Sequence, residues 1–294
     1  MTMPSPVIDC GESRPGFRLI PTDIEMLRAV YDYRFLHIDH LSALMNRSYK
    51  KVHGRLFKLV QNRFLARIEL PFQKHIYVIG REGIDVLVEE GIAPREAIEC
   101  RLRHHELKEM FLKHQLMLVD LHCSLELACR GTTLHLVTWR EGKELWDTVV
   151  TWIDRKRVEV PVCPDAFFVL EDRARPDGRN RLSFFLEADR STTTHKRFQQ
   201  KLIAYRQYLV DGRHTEKFGI KTFRVVTFTL TEKRALGLSA AAREVLPPDA
   251  RKHFLFATSE GISPRGPYAI LSDIFMSPAD EDTGGFRLRL IPAS

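Results

Sequence analysis

The chain has 294 residues, 44% hydrophobic and 28% charged, with a formal net charge of +7 and a pI of about 9.2. This composition excludes a disordered or fibrous chain, suits two domains with cores of their own, and permits a polyanionic partner without proving one. No apolar run is long enough to span a bilayer and the start lacks the apolar stretch of a signal peptide, so a cytoplasmic protein with no membrane partner is expected.

Residues 1–17 show little periodicity and read as a flexible arm. Thr22-Asp23-Ile24-Glu25 has the form of a capping box, with Thr22 capping and Glu25 reaching back. Ile24, Leu27, Val30 and Tyr31 then recur on one helix face. A turn over Tyr33–Leu36 leads to a short helix, Ile38–Met45, and Asn46-Arg47-Ser48 makes the next turn with Ser48 as N-cap.

The stretch from Arg47 to Arg67 holds seven Lys and Arg residues (Arg47, Lys50, Lys51, Arg55, Lys58, Arg63, Arg67) and no Asp or Glu. Val52, Leu56, Leu59 and Val60 share one face of a helix over 48–62, while Arg47, Lys50, Lys51, Gly54, Lys58 and Gln61 share the other. Gly54 in mid-helix costs about 1 kcal/mol relative to Ala and permits close approach of a phosphate or of a neighbouring helix. Two β-rich runs follow, Phe64–Leu70 and Lys74–Ile79, around Pro71-Phe72-Gln73, with Lys74 and His75 at the hairpin tip. A helix over Arg81–Glu90 stops at Gly91.

This order predicts a winged helix-turn-helix over 18–92, with the basic helix in a major groove and the hairpin on backbone or minor groove. Candidate DNA contacts are Arg47, Ser48, Tyr49, Lys50, Lys51, Arg55, Lys58, Arg63, Lys74 and His75. The bland alternative is the same module used for protein contacts, its basic face merely solvated.

The second domain is expected over 93–294. Pro94 opens a helical region that runs to about Arg130, with Leu107, Met110, Phe111, His114, Leu118, Leu121 and Leu125 as its apolar stripe. Strands are expected at Leu134–Trp139, Val158–Val160, Cys163–Leu170 and Arg181–Asp189, with a polar loop over Thr151–Lys156. Arg175-Pro176-Asp177-Gly178 should turn the last two into a hairpin. Helix Thr194–Val210, strand Lys221–Thr229, helix Arg234–Val245 and strand His253–Ala257 complete a mixed α/β domain. Pro278–Gly285 reads as a loop before a last strand, Phe286–Ile291. Five cysteines (Cys10, Cys100, Cys123, Cys129, Cys163) show no C-x-x-C, and twelve histidines show no H-E-x-x-H, so neither a disulfide framework nor a zinc cluster is expected.

Pro164-Asp165 begins one strand of the expected hairpin, and Glu187-Ala188-Asp189 ends the other. Side chains alternate along a strand, so Glu187 and Asp189 should face one way. Lys201 lies on the following helix with Tyr205 one turn on. Carboxylates on adjacent strands suit a hard divalent cation. The order helix, strand, Pro-Asp, strand, acid, helix resembles the PD-(D/E)XK (restriction-endonuclease-like) superfamily, which makes the overall class α+β. The resemblance implies Asp165, Glu187, Asp189 and Lys201 as nuclease-like residues, with Asp165 and Glu187 as ligands of Mg²⁺ or Mn²⁺ if the site is active. The lysine usual two residues after the acid is replaced here by Asp189, and Lys201 is the substitute. The competing reading is a nuclease fold without catalysis and without a cofactor, its acids paired with Arg190, Lys196 or Lys201.

Together, His75-Ile76-Tyr77-Val78-Ile79-Gly80-Arg81-Glu82-Gly83, Pro164-Asp165-Ala166, Phe185-Leu186-Glu187-Ala188-Asp189-Arg190-Ser191-Thr192 and Lys201-Leu202-Ile203-Ala204-Tyr205 make the chain resemble the replication-relaxation family over about Leu19 to Phe256. That family comprises plasmid replication and DNA-relaxation proteins, MobC-like accessory factors among them. The resemblance implies a DNA-binding accessory protein of a mobile element, with double-stranded DNA, a relaxase or replication protein, and a second copy of the chain as expected partners. The competing functions are a metal-dependent endonuclease targeted by the winged helix, and a transcriptional regulator whose α/β domain dimerises.

Overall fold

In a computed structural model that describes residues 7–9, 17–71, 73–101, 108–191, 193–279 and 289–291, the chain divides into two compact units, 1–123 and 124–294. The division falls later than the 92/93 boundary expected from the sequence, because Leu112 and Leu116 join Phe35, Ala66, Ile68, Leu70, Ile76 and Val78 in one core cluster.

The first unit runs β1 (Val7–Asp9), α1 (Pro21–Tyr33), α2 (Ile38–Leu44), α3 (Tyr49–Gln61), β2 (Leu65–Glu69), β3 (Ile76–Ile79), α4 (Arg81–Glu89), α5 (Arg95–Arg101) and α6 (Glu109–Cys129), the last helix ending in the second unit. Two caps differ from the sequence reading. Helix α1 starts two residues earlier than a Thr22 cap requires, at Pro21, with Ile20 as its N-cap. The carboxylate that reaches back is that of Asp23, accepting the Ile20 amide at 2.9 Å. Helix α2 is capped by a ring: His40 Nδ1 accepts the His37 amide at 3.0 Å. Nε2 of that ring therefore carries the proton and donates to Asp120 of α6, 2.7 Å away.

Val52, Leu56, Leu59 and Val60 of α3 are buried as their spacing requires. Strands β1, β2 and β3 form an antiparallel sheet in that order. Its outer strand, Val7–Asp9, lies in the stretch expected to be a flexible arm; the rest of 1–16 falls outside the described residues. The expected stripe of α6 is also revised. Met110 and Phe111 are exposed, whereas Leu112, Leu116 and Met117 are buried, because this helix is apolar nearly all round and its period leaves the face undecided.

In the second unit, a five-stranded mixed sheet has the order β10-β9-β8-β7-β4. Strands β4 (Leu134–Glu141), β7 (Ala166–Asp172) and β8 (Arg181–Asp189) are antiparallel neighbours. Strands β9 (Arg224–Thr229) and β10 (Phe254–Thr258) continue parallel to β8. The hairpin reverses at the expected Pro-Asp-Gly turn, where Gly178 takes a φ of 81°. Helices α7 (His195–Val210), α8 (Arg213–Phe218), α9 (Glu232–Val245) and α10 (Pro248–Arg251) complete the unit. Thr194 and Thr231 cap α7 and α9 through the amides of Arg197 and Arg234, each at 3.3 Å. Phe198, Leu202 and Tyr205 of α7 share a core cluster with Phe167, Phe185 and Val225 of the sheet.

The sequence pattern does not reveal a separate ribbon, β5 (Asp147–Ile153) against β6 (Lys156–Val162), and instead puts a loop over much of it. The final strand expected at Phe286–Ile291 falls mostly outside the described residues. Among the described residues no helix is long and apolar enough to cross a membrane, and Cys100, Cys123, Cys129 and Cys163 are in no disulfide.

The two glycines of Ile79-Gly80-Arg81-Glu82-Gly83 have a packing reason. A Cβ on Gly80 would collide with the Arg63 carbonyl, and one on Gly83 with the Phe64 carbonyl. Gly54 is the opposite case, since a Cβ there meets nothing within 4 Å. Gly80→Ala and Gly83→Ala are each expected to cost about 1–3 kcal/mol, while Gly54→Ala should stabilise by up to about 1 kcal/mol. Urea unfolding of the three variants checks both signs.

Candidate nucleic-acid interface and acidic site

The outward face of α3 carries Lys50, Lys51, His53, Gly54, Phe57 and Lys58, all exposed. Arg47 stands just before the helix and bonds the Thr22 hydroxyl at 3.1 Å. Ser48 holds the extended N-cap conformation, but its hydroxyl makes no capping bond. The ion pairs of this region go to other cations, and Lys50, Lys51 and Lys58 have none among the described residues.

Arg55, Lys74 and His75 are, like Arg47, engaged within the chain. Arg55 turns inward: its guanidinium bonds both oxygens of Asp23, which is wholly buried. It therefore ties α3 to α1 and is not part of the outward face. At the hairpin tip Lys74 pairs with Asp39, and His75 Nε2 lies 3.6 Å from Glu69. Arg63 closes α3 with a φ of 59°.

Tyr49 is a sequence candidate, but Phe57 and His53 beside it escape the sequence pattern. Phe57 is 53% exposed and Tyr49 54% exposed, and His53 stacks on Tyr49 with ring centroids 6.1 Å apart. Tyr49, His53 and Phe57 are spaced i, i+4, i+8, so they form a stripe along the exposed face. The signal is present in that spacing. It is easily passed over because aromatic residues at helical spacing more often belong to a core.

In the second unit the hairpin brings the acids together as expected. Asp165 precedes β7 and Glu187 lies on β8, where Ala166 pairs with Leu186. One Asp165 oxygen accepts the Ala188 amide at 2.8 Å. Glu187 is almost fully buried, and each of its oxygens is engaged. Lys201 of α7 donates to Oε2, and the Tyr205 hydroxyl donates to Oε1 at 2.7 Å. Asp189 is also buried and accepts from Arg234 Nε of α9 at 2.6 Å. Arg234 in turn donates to the Thr193 carbonyl at 2.5 Å.

Burial pushes the Glu187 carboxyl above its ordinary range, against the pull of Lys201. Burial alone would lower the Lys201 ammonium, but Glu187 and Asp165 outweigh it and hold the group charged. Burial and the neighbouring Glu187 carboxylate push the Tyr205 hydroxyl well up, so it stays a donor.

As it stands, this set has most of its carboxylate oxygens committed to donors within the unit. Both Glu187 oxygens are committed to donors, and Arg234 answers Oδ2 of Asp189, whose buried Oδ1 has no hydrogen-bond partner among the described residues. Among the described residues no three His, Cys, Asp or Glu side chains gather as a metal site. The arrangement binds helices to a sheet by buried, hydrogen-bonded charge pairs.

Removing the cation of such a pair leaves a buried charge unanswered. Lys201→Met is expected to cost about 3 kcal/mol at neutral pH. The Glu187 carboxyl of that variant, already raised by burial, should rise further. A raised folded-state pKa means stability is kept below the ordinary carboxylate range and lost as pH rises through the folded value. The deficit of Lys201→Met against wild type should therefore shrink toward pH 4, which unfolding curves across pH 4–8 will test.

No curated protein and no solved structure matches the chain. The family model described as replication-relaxation matches residues 27–223, from within α1 to the segment before β9, and so takes in α3, the β2–β3 hairpin, the acid-bearing β7–β8 hairpin and α7. With two thirds of its length under one family pattern, the chain belongs to the replication-relaxation family.

Proposed function

We propose that the protein is a duplex-DNA-binding accessory factor of a plasmid or other mobile element, acting in replication, relaxation or transfer initiation. In this reading the first unit is a winged helix-turn-helix, α3 is its recognition helix and β2–β3 its wing. The observation that carries the reading is the outward face of α3, where Lys50, Lys51 and Lys58 stand around a glycine without acidic partners among the described residues. Phosphates supply the missing counter-charge. Gly54 has no packing reason among the described residues, so its helix cost finds its explanation in a surface that approaches from outside. The exposed aromatic stripe adds apolar groups able to meet thymine methyls.

For the second unit, the order α6, β4, β7, β8, α7 and β9, with the β5–β6 ribbon and α8 inserted, follows the order by which the sequence resembles the PD-(D/E)XK superfamily. The pairing of β9 parallel to β8 supports that scaffold. The pairing of Glu187 with Lys201 and Tyr205, and of Asp189 with Arg234, favours a scaffold used without hydrolysis. Wild type should then nick supercoiled plasmid no faster than Asp165→Ala or Glu187→Ala in Mg²⁺ or Mn²⁺.

The DNA reading is tested by a salt titration of duplex binding. Changing Lys50, Lys51 and Lys58 together to Ala should weaken binding and lower the log–log salt slope by about 0.9 for each phosphate that is no longer neutralised. Gly54→Leu should weaken binding with its fold intact, because the new side chain stands in the approach path. An unchanged slope in the triple variant removes α3 from the interface.

A further inference from the structure

The β5–β6 ribbon stands outside the five-stranded sheet. Its inner side, with Val149 and Val162, joins the core cluster that holds Phe198 and Leu202 of α7. Its outer side is left uncovered by the described residues. Trp152 is 68% exposed, Val150 is 39% exposed, and Trp146, just ahead of the strand, is 47% exposed. Alternation places Thr148, Val150 and Trp152 on one face, and the register sets Arg157 opposite Trp152.

Charge decides what such a face takes. Two of the ribbon's acids are answered within the unit: Asp147 by Arg213 at 2.5 Å and Asp154 by Lys196 at 4.0 Å. That leaves Glu159 against Arg155, Lys156 and Arg157, all exposed. Lys143 Nζ lies 5.8 Å over the Trp146 ring. Each exposed indole thus has a cation beside it. A face for an apolar protein partner gains little from those cations, whereas a stacked base brings its own phosphate to meet them.

The turn adds to this. Asp154 and Arg155 both have positive φ, 50° and 62°, which is the reversal that twisted hairpins favour and that glycine fills most easily at its second position. An arginine there keeps a cation at the tip despite the backbone cost. Trp146 and Trp152 are six residues apart along one strand direction, about 20 Å, which is room for several nucleotides.

We infer that the β5–β6 ribbon binds single-stranded DNA, with Trp146 and Trp152 as stacking platforms and Arg155, Lys156 and Arg157 on the phosphates. The site lies within the second unit and does not rest on the duplex reading of α3.

The test uses the full chain with labelled oligo(dT) and a labelled random duplex. Wild type should bind oligo(dT) with quenching of tryptophan fluorescence. Trp146→Ala, Trp152→Ala and the bulk-preserving Trp152→Leu should each weaken oligo(dT) binding by about 5-fold or more, the scale of a single base stack, at unchanged Tm and unchanged duplex affinity. Arg155→Gly should reduce the salt dependence of oligo(dT) binding without lowering Tm. The triple lysine variant of α3 should lose duplex and keep oligo(dT).

Three results overturn the inference. One is no oligo(dT) binding by wild type, or equal binding by the tryptophan variants. A second is parallel loss of both probes in those variants. The third is tryptophan variants that bind oligo(dT) like wild type but dissociate a dimer, which makes the face a contact between copies. A wild type that binds oligo(dT) but no duplex removes the α3 reading and leaves this one standing.

Discussion

Asp23 has no contact with solvent, and it answers two groups at once. One oxygen accepts the Ile20 amide at the start of α1, and both oxygens receive the guanidinium of Arg55 from the middle of α3. A forked donor facing a planar carboxylate permits little rotation. The pair therefore fixes which side of α3 turns inward, and so which side is left for a partner. Arg55 also lies over the Phe17 ring at 5.3 Å, which helps shield the pair from water. Breaking one partner of a buried pair costs about 3–5 kcal/mol, so this contact sets the geometry of the face as much as the apolar residues behind it.

The second unit repeats the device with different parts. Glu187 holds α7 to β8 through Lys201 and Tyr205, and Asp189 holds α9 through Arg234. Buried charge pairs of this kind add less net stability than apolar contacts of equal volume, but they specify geometry, since each donor has one acceptor at the right distance. In the proposed reading, acids that could serve a cation serve this role instead, and the cations that neutralise them come from helices that follow in the chain.

Much of the first unit is legible in the sequence because its signals are local. The four apolar residues of α3 share a face under any helical reading, and Ser48 sits where the chain must leave extended conformation. The β7–β8 hairpin is legible from Arg175-Pro176-Asp177-Gly178, a turn written into four consecutive residues. The β5–β6 ribbon is not, because its turn uses Asp154-Arg155, which lacks the Asn-Gly or Asp-Gly signal. The stripe on α6 is misplaced by its spacing because an all-round apolar helix has no preferred face in its period. The short strand β1 escapes because three residues carry too little pattern to separate from a loop.

What the sequence determined by itself is the order of the elements other than β1 and the β5–β6 ribbon, the dry side of α3, the hairpin that brings Asp165 beside Glu187, and the family. These follow from spacing and turn chemistry, which act over a few residues. What the tertiary structure decided is the partner of each charge. Seven cations between Arg47 and Arg67 look alike in sequence, yet Arg55 is spent on Asp23, while Lys50, Lys51 and Lys58 are not paired among the described residues. The hairpin-tip Lys74 goes to Asp39, Glu187 goes to Lys201 and Tyr205, and the tryptophans at and just before β5 are left outward. Pairing across 32 residues, as between Asp23 and Arg55, depends on where packing brings two side chains together, and no local pattern carries that distance.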